Sequence, residues 1–269
     1  MVDVRKKVEE ITPEITQMRV HIHENPELSM KEYNTCALLE DYVKKNVKYD
    51  RLKRVGETGL FFELKGTKPG NGPTIVFRGD IDALPIQEDE HMSPRSKVPG
   101  VMHACGHDVH GTINVGAAKI LSEMKDQFSG SIYFFIQPAE EILQGAKLFL
   151  NDPEIDFDKI DAVAALHVSA ELDAGTIGVR YGAILASADG IRIRINGKGG
   201  HGAHCHTLRD PIVASAAVIN ALQTLVSRET NPANAVVISI CTIHAGEANN
   251  IVPDSVEMTG TVHTLNPAD

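Results

Sequence analysis

Residues 74–82 read Thr-Ile-Val-Phe-Arg-Gly-Asp-Ile-Asp. The apolar run has the composition of a strand buried on both faces, and it passes straight into two aspartates, Asp80 and Asp82. The pattern recurs. Ser131 to Ile136 is a second such run, ending in Gln137, Pro138, Ala139, Glu140 and Glu141, and Ala162 to Leu166 is a third, ending in His167. Helical patterns at Gly111 to Met124 and Gly145 to Leu150 lie between them. Strands alternating with helices predict an α/β domain with a mostly parallel sheet and helices on both faces. In such folds a site gathers at the carboxyl ends of the strands, and here three such ends carry metal-type residues.

Between the first and second runs lies His103-Ala-Cys105-Gly-His107-Asp108-Val-His110. A thiol and three imidazoles in eight residues are ligand chemistry that borderline-soft metals accept. Gly106 can turn the backbone so that Cys105 and His107 converge. The helical pattern that follows places the cluster at a helix start, whose partial positive charge is expected to favour thiolate. If Cys105, His107, Glu141 and His167 reach one centre, the thiolate can bridge two cations roughly 3.5–4 Å apart, an arrangement suited to amide or phosphate hydrolysis. Asp82 would then orient a ligating imidazole. Of the adjacent Glu140 and Glu141, one can ligate while the other acts as general base; a solvated turn is the plainer reading of the pair. The same cysteine also fits a thiol nucleophile, a mechanism that leaves Glu140, Glu141 and His167 without a task.

A chain of 269 residues, 42% apolar and 23% charged, is long enough for one large or two ordinary globular domains. The formal net charge of −10 argues against nucleic acid as a partner. No apolar run of membrane-spanning length occurs, and Met1 to Lys7 lacks the apolar centre of a secretory leader, so the cytoplasm is the expected compartment. Cys36, Cys105, Cys205 and Cys241 are too scattered for a disulfide framework.

Val4, Val8, Ile11, Ile15, Met18 and Ile22 mark one stripe of a first helix, with Pro13 placed to bend it. The segment from His21 to Glu27 reads as a solvated helix end. Ser29 and Glu32 form a capping-box pattern that predicts the start of a second helix, and Gly59 to Leu64 predicts a strand. At Ser187 the texture changes. Ile191, Ile193 and Ile195 alternate with Arg192, Arg194 and Asn196, the pattern of a sheet with one wet face. Asp210 and Pro211 open a helix over Ile212 to Arg228, and Val236 to Thr242 and Ser255 to Leu265 predict strands. The expected division is a metal-binding catalytic domain over 1–186 and a smaller α+β domain over 187–269.

Several of these residues carry a resemblance. Arg19, His23 and Asn25 to Ser29, RGDIDALP at 78–85, HACGHD at 103–108, QPAEE at 137–141 and GKGGHGA at 197–203 together resemble the M20 metallopeptidase family. The branch resembled is that of hippurate hydrolases, auxin-conjugate hydrolases and N-acetyldiaminopimelate deacetylases. The resemblance implies a metal-dependent amidohydrolase acting on N-acyl amino acids or short peptide-like amides through a metal-activated water. It implies two divalent ions (zinc, or manganese, cobalt or nickel) with Cys105 bridging, His107 and Glu141 on one, His167 on the other, Glu140 as base and Asp82 orienting a ligand. It further implies that the second domain is a lid and dimerisation domain. There, His201 would polarise the scissile carbonyl in a partner subunit's site and Asn250 would contact substrate; from the residues alone, both positions also fit plain turns. Family members continue further and supply a last metal histidine, so the chain resembles an amino-terminal portion. Cys205 stands where proline is common, and His263 where an arginine often binds the substrate carboxylate. The second expectation is a non-enzymatic one, a fragment that binds metal and dimerises.

Overall fold

The computed structural model describes residues 3–266 and 268. Met1 and Val2, part of the leader reading, lie outside them, as do Pro267 and Asp269. The chain forms two compact units, Met1–Glu171 and Leu172–Asp269.

In the first unit, β1 (Arg51–Val55), β2 (Gly59–Lys65), β3 (Thr74–Asp80), β4 (Ser131–Gln137) and β5 (Ala162–Ala165) form one sheet in the order β1-β2-β4-β3-β5. β3 is parallel to both β4 and β5, whereas β2 is antiparallel to β4 and to β1. The sheet is therefore mixed, which corrects the expectation of a mostly parallel one. The missed strand is β1, whose Arg51, Lys53 and Arg54 break any apolar pattern. It lies at the sheet edge, where such charges are tolerated and discourage further pairing. Its turn into β2 uses Gly56 at φ 61°, a left-handed conformation that suits a short hairpin loop.

Both faces of this sheet are covered. On one, Leu60, Phe62 and Leu64 of β2 and Ile132, Phe134 and Ile136 of β4 pack with residues of α1 (Val4–Glu24), α2 (Tyr33–Asn46) and α3 (His107–Ser122). Phe62 and Phe134 stack with ring centroids 4.7 Å apart. On the other, Phe61, Tyr133 and Phe135 pack with Phe149 of α4 (Gly145–Leu150) and with Ile155. Burial on both sides explains why β2 and β4 read as nearly unbroken apolar runs.

Two local expectations are overturned. Residues 29–32 do not form a capping box: α2 begins at Tyr33 with no side-chain cap, Ser29 bonds Asp82, and the Glu32 carboxylate points into the core. In place of a box, Glu27 accepts the N–H groups of Asn34 and Thr35. Likewise α3 starts at His107 and not at Gly111. Its first turn is polar yet buried, a state that apolar periodicity cannot detect.

The second unit is built on an antiparallel sheet, β6 (Asp189–Asn196), β10 (Ser255–Thr264) and β8 (Val236–His244), in the order β6-β10-β8. α5 (Pro211–Thr224) packs on it, capped by Asp210, whose carboxylate accepts from the N–H groups of Ile212 and Val213. A two-residue ladder pairs β7 (Gly200–His201) with β9 (Ile251–Val252).

Candidate metal centre

The parallel strands β3, β4 and β5 deliver Asp80 and Asp82, Glu140 and Glu141, and His167 to one end of the first sheet. The start of α3 brings Cys105 and His107 to the same place. Gly106, between them, has φ 81°, and a Cβ there would stand 2.3 Å from Val168 Cγ2, so both conformation and space demand glycine.

His107 is the hub. Its ring is fully buried, and its Nδ1 lies 3.1 Å from Asp82 Oδ1. With Nδ1–H donating to Asp82, Nε2 keeps a free lone pair. That Nε2 lies 3.7 Å from Glu141 Oε1 and 3.9 Å from Glu140 Oε2, beyond hydrogen-bond range. Both Nε2 and Glu141 Oε1 are buried without a hydrogen-bond partner. Cys105 Sγ lies 3.3 Å from His167 Nε2. His167 Nδ1 donates to the Val168 carbonyl at 2.6 Å, which leaves Nε2 as an acceptor facing the Cys105 thiol. Ligand atoms of Cys105, His107 and His167 form one convergent group, and those of His107, Glu140 and Glu141 form another. Two atoms each about 2.0–2.3 Å from one ion stand no more than about 4.5 Å apart, so these separations suit shared cations.

A third convergent group, Asp80, His107 and His110, differs in chemistry. His110 Nδ1 faces Asp80 Oδ1 at 2.5 Å, and its Nε2 accepts the Val168 N–H at 3.0 Å. Asp80 Oδ2 pairs with Arg78 at 2.6 Å. His110 therefore has no free nitrogen, and it pins the backbone beside His167.

The electrostatics favour cations. Burial pushes the Cys105 thiol up to about 12, and the carboxylates of Glu141, Glu140 and Asp80 add to the rise. In the metal-free chain, burial and neighbouring negative charge thus oppose the thiolate that the helix start favours. Burial also raises Glu141, an effect that His107 opposes. Burial would raise Asp82 too, but hydrogen bonds from His107, Ser29 and the Glu141 backbone hold it below the ordinary range. Donors of this kind, gathered where extra negative charge is unfavourable, fit divalent metal ions.

A second buried cluster braces the first. His23, expected at a solvated helix end, is buried. Its Nδ1 lies 2.9 Å from Asp108 Oδ2 and its Nε2 2.9 Å from Glu88 Oε1, while Arg19 Nε lies 2.7 Å from Asp108. The hydrogen bond to Asp108 is the largest influence raising the His23 pKa; burial opposes it, and Glu88 adds to it. A raised pKa means that this stabilisation is full below the ordinary value of 6.5 and fades as pH rises through the folded-state value. Asp108, held below its ordinary 3.8 by His23 and Arg19 against the effect of burial, loses its share only in acid. His23→Gln should therefore cost more stability at about pH 5.5 than at about pH 9 in urea unfolding. An equal cost at both would mean that the imidazole is uncharged. His103 is also buried, has no partner at either ring nitrogen, and is pushed down to about 4 by burial.

In the second unit, His201 and Asn250 lie side by side: the Gly202 N–H donates to the Asn250 carbonyl at 2.9 Å, and His201 pairs with Ile251. His201 Nδ1 accepts the Ala203 N–H at 3.1 Å, Cys205 is exposed, and His263 Nδ1 donates to the Ser187 carbonyl at 3.0 Å. From the sequence, Ser29 and Glu32 had only a helix-capping role, His110 was one imidazole of the cluster, and Glu88 and Asp108 had no task. Ser29 stood within a quoted motif and Asp108 and His110 beside the cysteine, but nothing local marks Glu88.

The first unit thus has the form of an α/β metallohydrolase core, with candidate metal ligands at the carboxyl ends of parallel strands. The profile of peptidase family M20/M25/M40 matches residues 76–264, and the chain belongs to that family. It is 41% identical to thermostable carboxypeptidase 2 of Saccharolobus solfataricus, over 97% of this chain and 66% of that protein. It is 38% identical to an N-acyl-L-amino acid amidohydrolase of Geobacillus stearothermophilus, over 98% of this chain and 70% of that one. The crystal structure of the Bacillus subtilis YXEP protein, described as a dinuclear metal binding peptidase of the M20 family, superposes with a TM-score of 0.78 at 35% identity. That alignment covers 97% of this chain and 66% of the other. The chain therefore spans about two thirds of the length of such relatives.

Proposed function

We propose that this chain carries the metal centre of an amidohydrolase that cleaves N-acyl amino acids or short peptide-like amides. The observation that carries the reading is the pair of buried, unpartnered atoms His107 Nε2 and Glu141 Oε1, 3.7 Å apart, with Cys105 and His167 alongside. Cys105, His107, Glu141 and His167 would hold two divalent ions. The bound ions would polarise the amide carbonyl and make water acidic enough to deprotonate near neutral pH. Glu140 Oε2, in the more exposed of the two glutamates, takes the proton from the attacking water and returns it to the leaving nitrogen. Asp82 fixes the His107 ring so that Nε2 faces the ligand cluster.

The names of the two relatives, an N-acyl-L-amino acid amidohydrolase and a carboxypeptidase, support this substrate class. In the same reading the second unit is a lid and dimerisation domain. Its His201 polarises the scissile carbonyl and Asn250 contacts substrate. The protein works in the cytoplasm; among the described residues no helix is long and apolar enough to cross a membrane.

Hydrolysis of N-acyl amino acids should vanish on dialysis against a chelator and return with zinc or manganese. Activity that resists the chelator but is lost on thiol alkylation would replace this reading with cysteine catalysis. Cation binding without hydrolysis would favour the metal-binding, dimerising alternative.

A further inference from the structure

The segment from Arg19 to Glu32 touches no reacting atom in the proposed hydrolysis, yet three of its polar side chains hold residues beside the candidate ligands. Arg19 and His23 hold Asp108, next to His107, and Ser29 Oγ donates to Asp82 Oδ2 at 2.6 Å. Glu32 is fully buried, and its carboxylate makes no cap for the helix that follows it. Its Oε1 accepts the N–H of Met30 at 3.0 Å and the N–H of Ala139 at 2.8 Å. Both donors are left-handed, with φ 65° at Met30 and 50° at Ala139. Among the described residues only three non-glycine positions have positive φ, and two of them donate to this single oxygen.

A non-glycine residue leaves that region unless something holds it. Here relaxation of either turn would strip a donor from a buried carboxylate, so the two conformations and the acceptor sustain one another. What they position is the centre itself. Met30 follows Ser29, which fixes Asp82 and through it His107; Ala139 precedes Glu140 and Glu141.

We propose that Glu32 is a positioning residue for the metal centre: its Oε1 clamps the Met30 and Ala139 turns and so sets the separation of His107 Nε2 from the Glu140–Glu141 pair. The inference rests on the reading above for Glu141 as a ligand, while the clamp itself can be tested without metal. Burial raises the Glu32 pKa, and glutamine, which presents the same acceptor oxygen without charge, is the conservative replacement.

The test compares wild type with Glu32→Gln, Glu32→Ala, Ala139→Gly and the double variant Glu32→Ala/Ala139→Gly. On the metal-free chain, amide hydrogen exchange at Ala139 should be slow in wild type and Glu32→Gln and at least about tenfold faster in Glu32→Ala. Affinity for Co²⁺ should fall about 10–100-fold in Glu32→Ala and stay close to wild type in Glu32→Gln. Most of the loss should be recovered in the double variant, because glycine adopts the left-handed turn without the clamp. A merely structural role would not produce that rescue. If Glu32→Ala does not fold, Glu32→Asp, which shortens the reach by one carbon, should show the same losses. Unchanged Ala139 exchange in a folded Ala or Asp variant, or no rescue by Ala139→Gly, would overturn the proposal. A wild-type chain that binds no Co²⁺ would instead overturn the functional reading, with the exchange comparison still deciding the clamp.

Discussion

Glu140→Gln should lower hydrolysis of N-acyl amino acids by about 10²–10⁴-fold while leaving the bound cation count unchanged. That loss corresponds to about 2.7–5.5 kcal/mol of transition-state stabilisation. Glutamine keeps the shape of the side chain but cannot take up the proton of the attacking water. The two neighbouring glutamates differ in their settings. The Glu141 N–H is held by Asp82 at 3.1 Å and its Oε1 is buried against His107, whereas the Glu140 side chain is 35% exposed. Both carboxylates face His107 Nε2, at 3.7 Å from Glu141 and 3.9 Å from Glu140, and the Glu140 side chain is the more open to water. Turnover measured beside metal content by mass spectrometry tells the roles apart. Loss of metal together with activity would make Glu140 a ligand, and full activity would remove it from the mechanism.

The second large effect is expected at the thiol. Cys105→Ser should weaken cation binding by more than the roughly 10–100-fold that loss of an outer partner costs, because a serine hydroxyl does not ionise to the anion that a bridging ligand must supply. Without cations the thiol itself resists ionisation, being pushed up to about 12 by burial and then by Glu141, Glu140 and Asp80. Iodoacetamide at neutral pH should accordingly modify Cys105 of the metal-free chain more slowly than the exposed Cys205 and Cys241. Fast, selective alkylation of Cys105 would point to a nucleophile in place of a ligand. Competition titrations with a chromophoric chelator give the affinity directly.

The parts of this molecule visible in its sequence are those whose local pattern and tertiary fate agree. β4 is an apolar run that becomes a buried strand, α4 forms over its expected span with Phe149 turned to the core, and Asp210 caps α5 as its position before Pro211 suggests. The polar residues after β3, β4 and β5 assemble as expected because parallel neighbours end at the same edge. What stayed hidden depends on partners distant in the chain. β1 is a charged edge strand, so no apolar alternation announces it, and with it went the antiparallel half of the sheet. Ser29 and Glu32 match a local capping rule, but each is worth more to the fold as an anchor for Asp82 and Ala139. His23 reads as solvated only until Asp108 and Glu88, 85 and 65 residues away, close on both sides of its ring.

In the proposed centre one sulfur, two imidazoles and a carboxylate share cations at the end of this sheet. Zinc K-edge X-ray absorption on the zinc-loaded chain tests it most directly. A sulfur scatterer at about 2.3 Å should accompany nitrogen and oxygen at about 2.0–2.1 Å, and the sulfur signal should vanish in Cys105→Ser. A zinc environment of nitrogen and oxygen alone in the wild-type chain would contradict it.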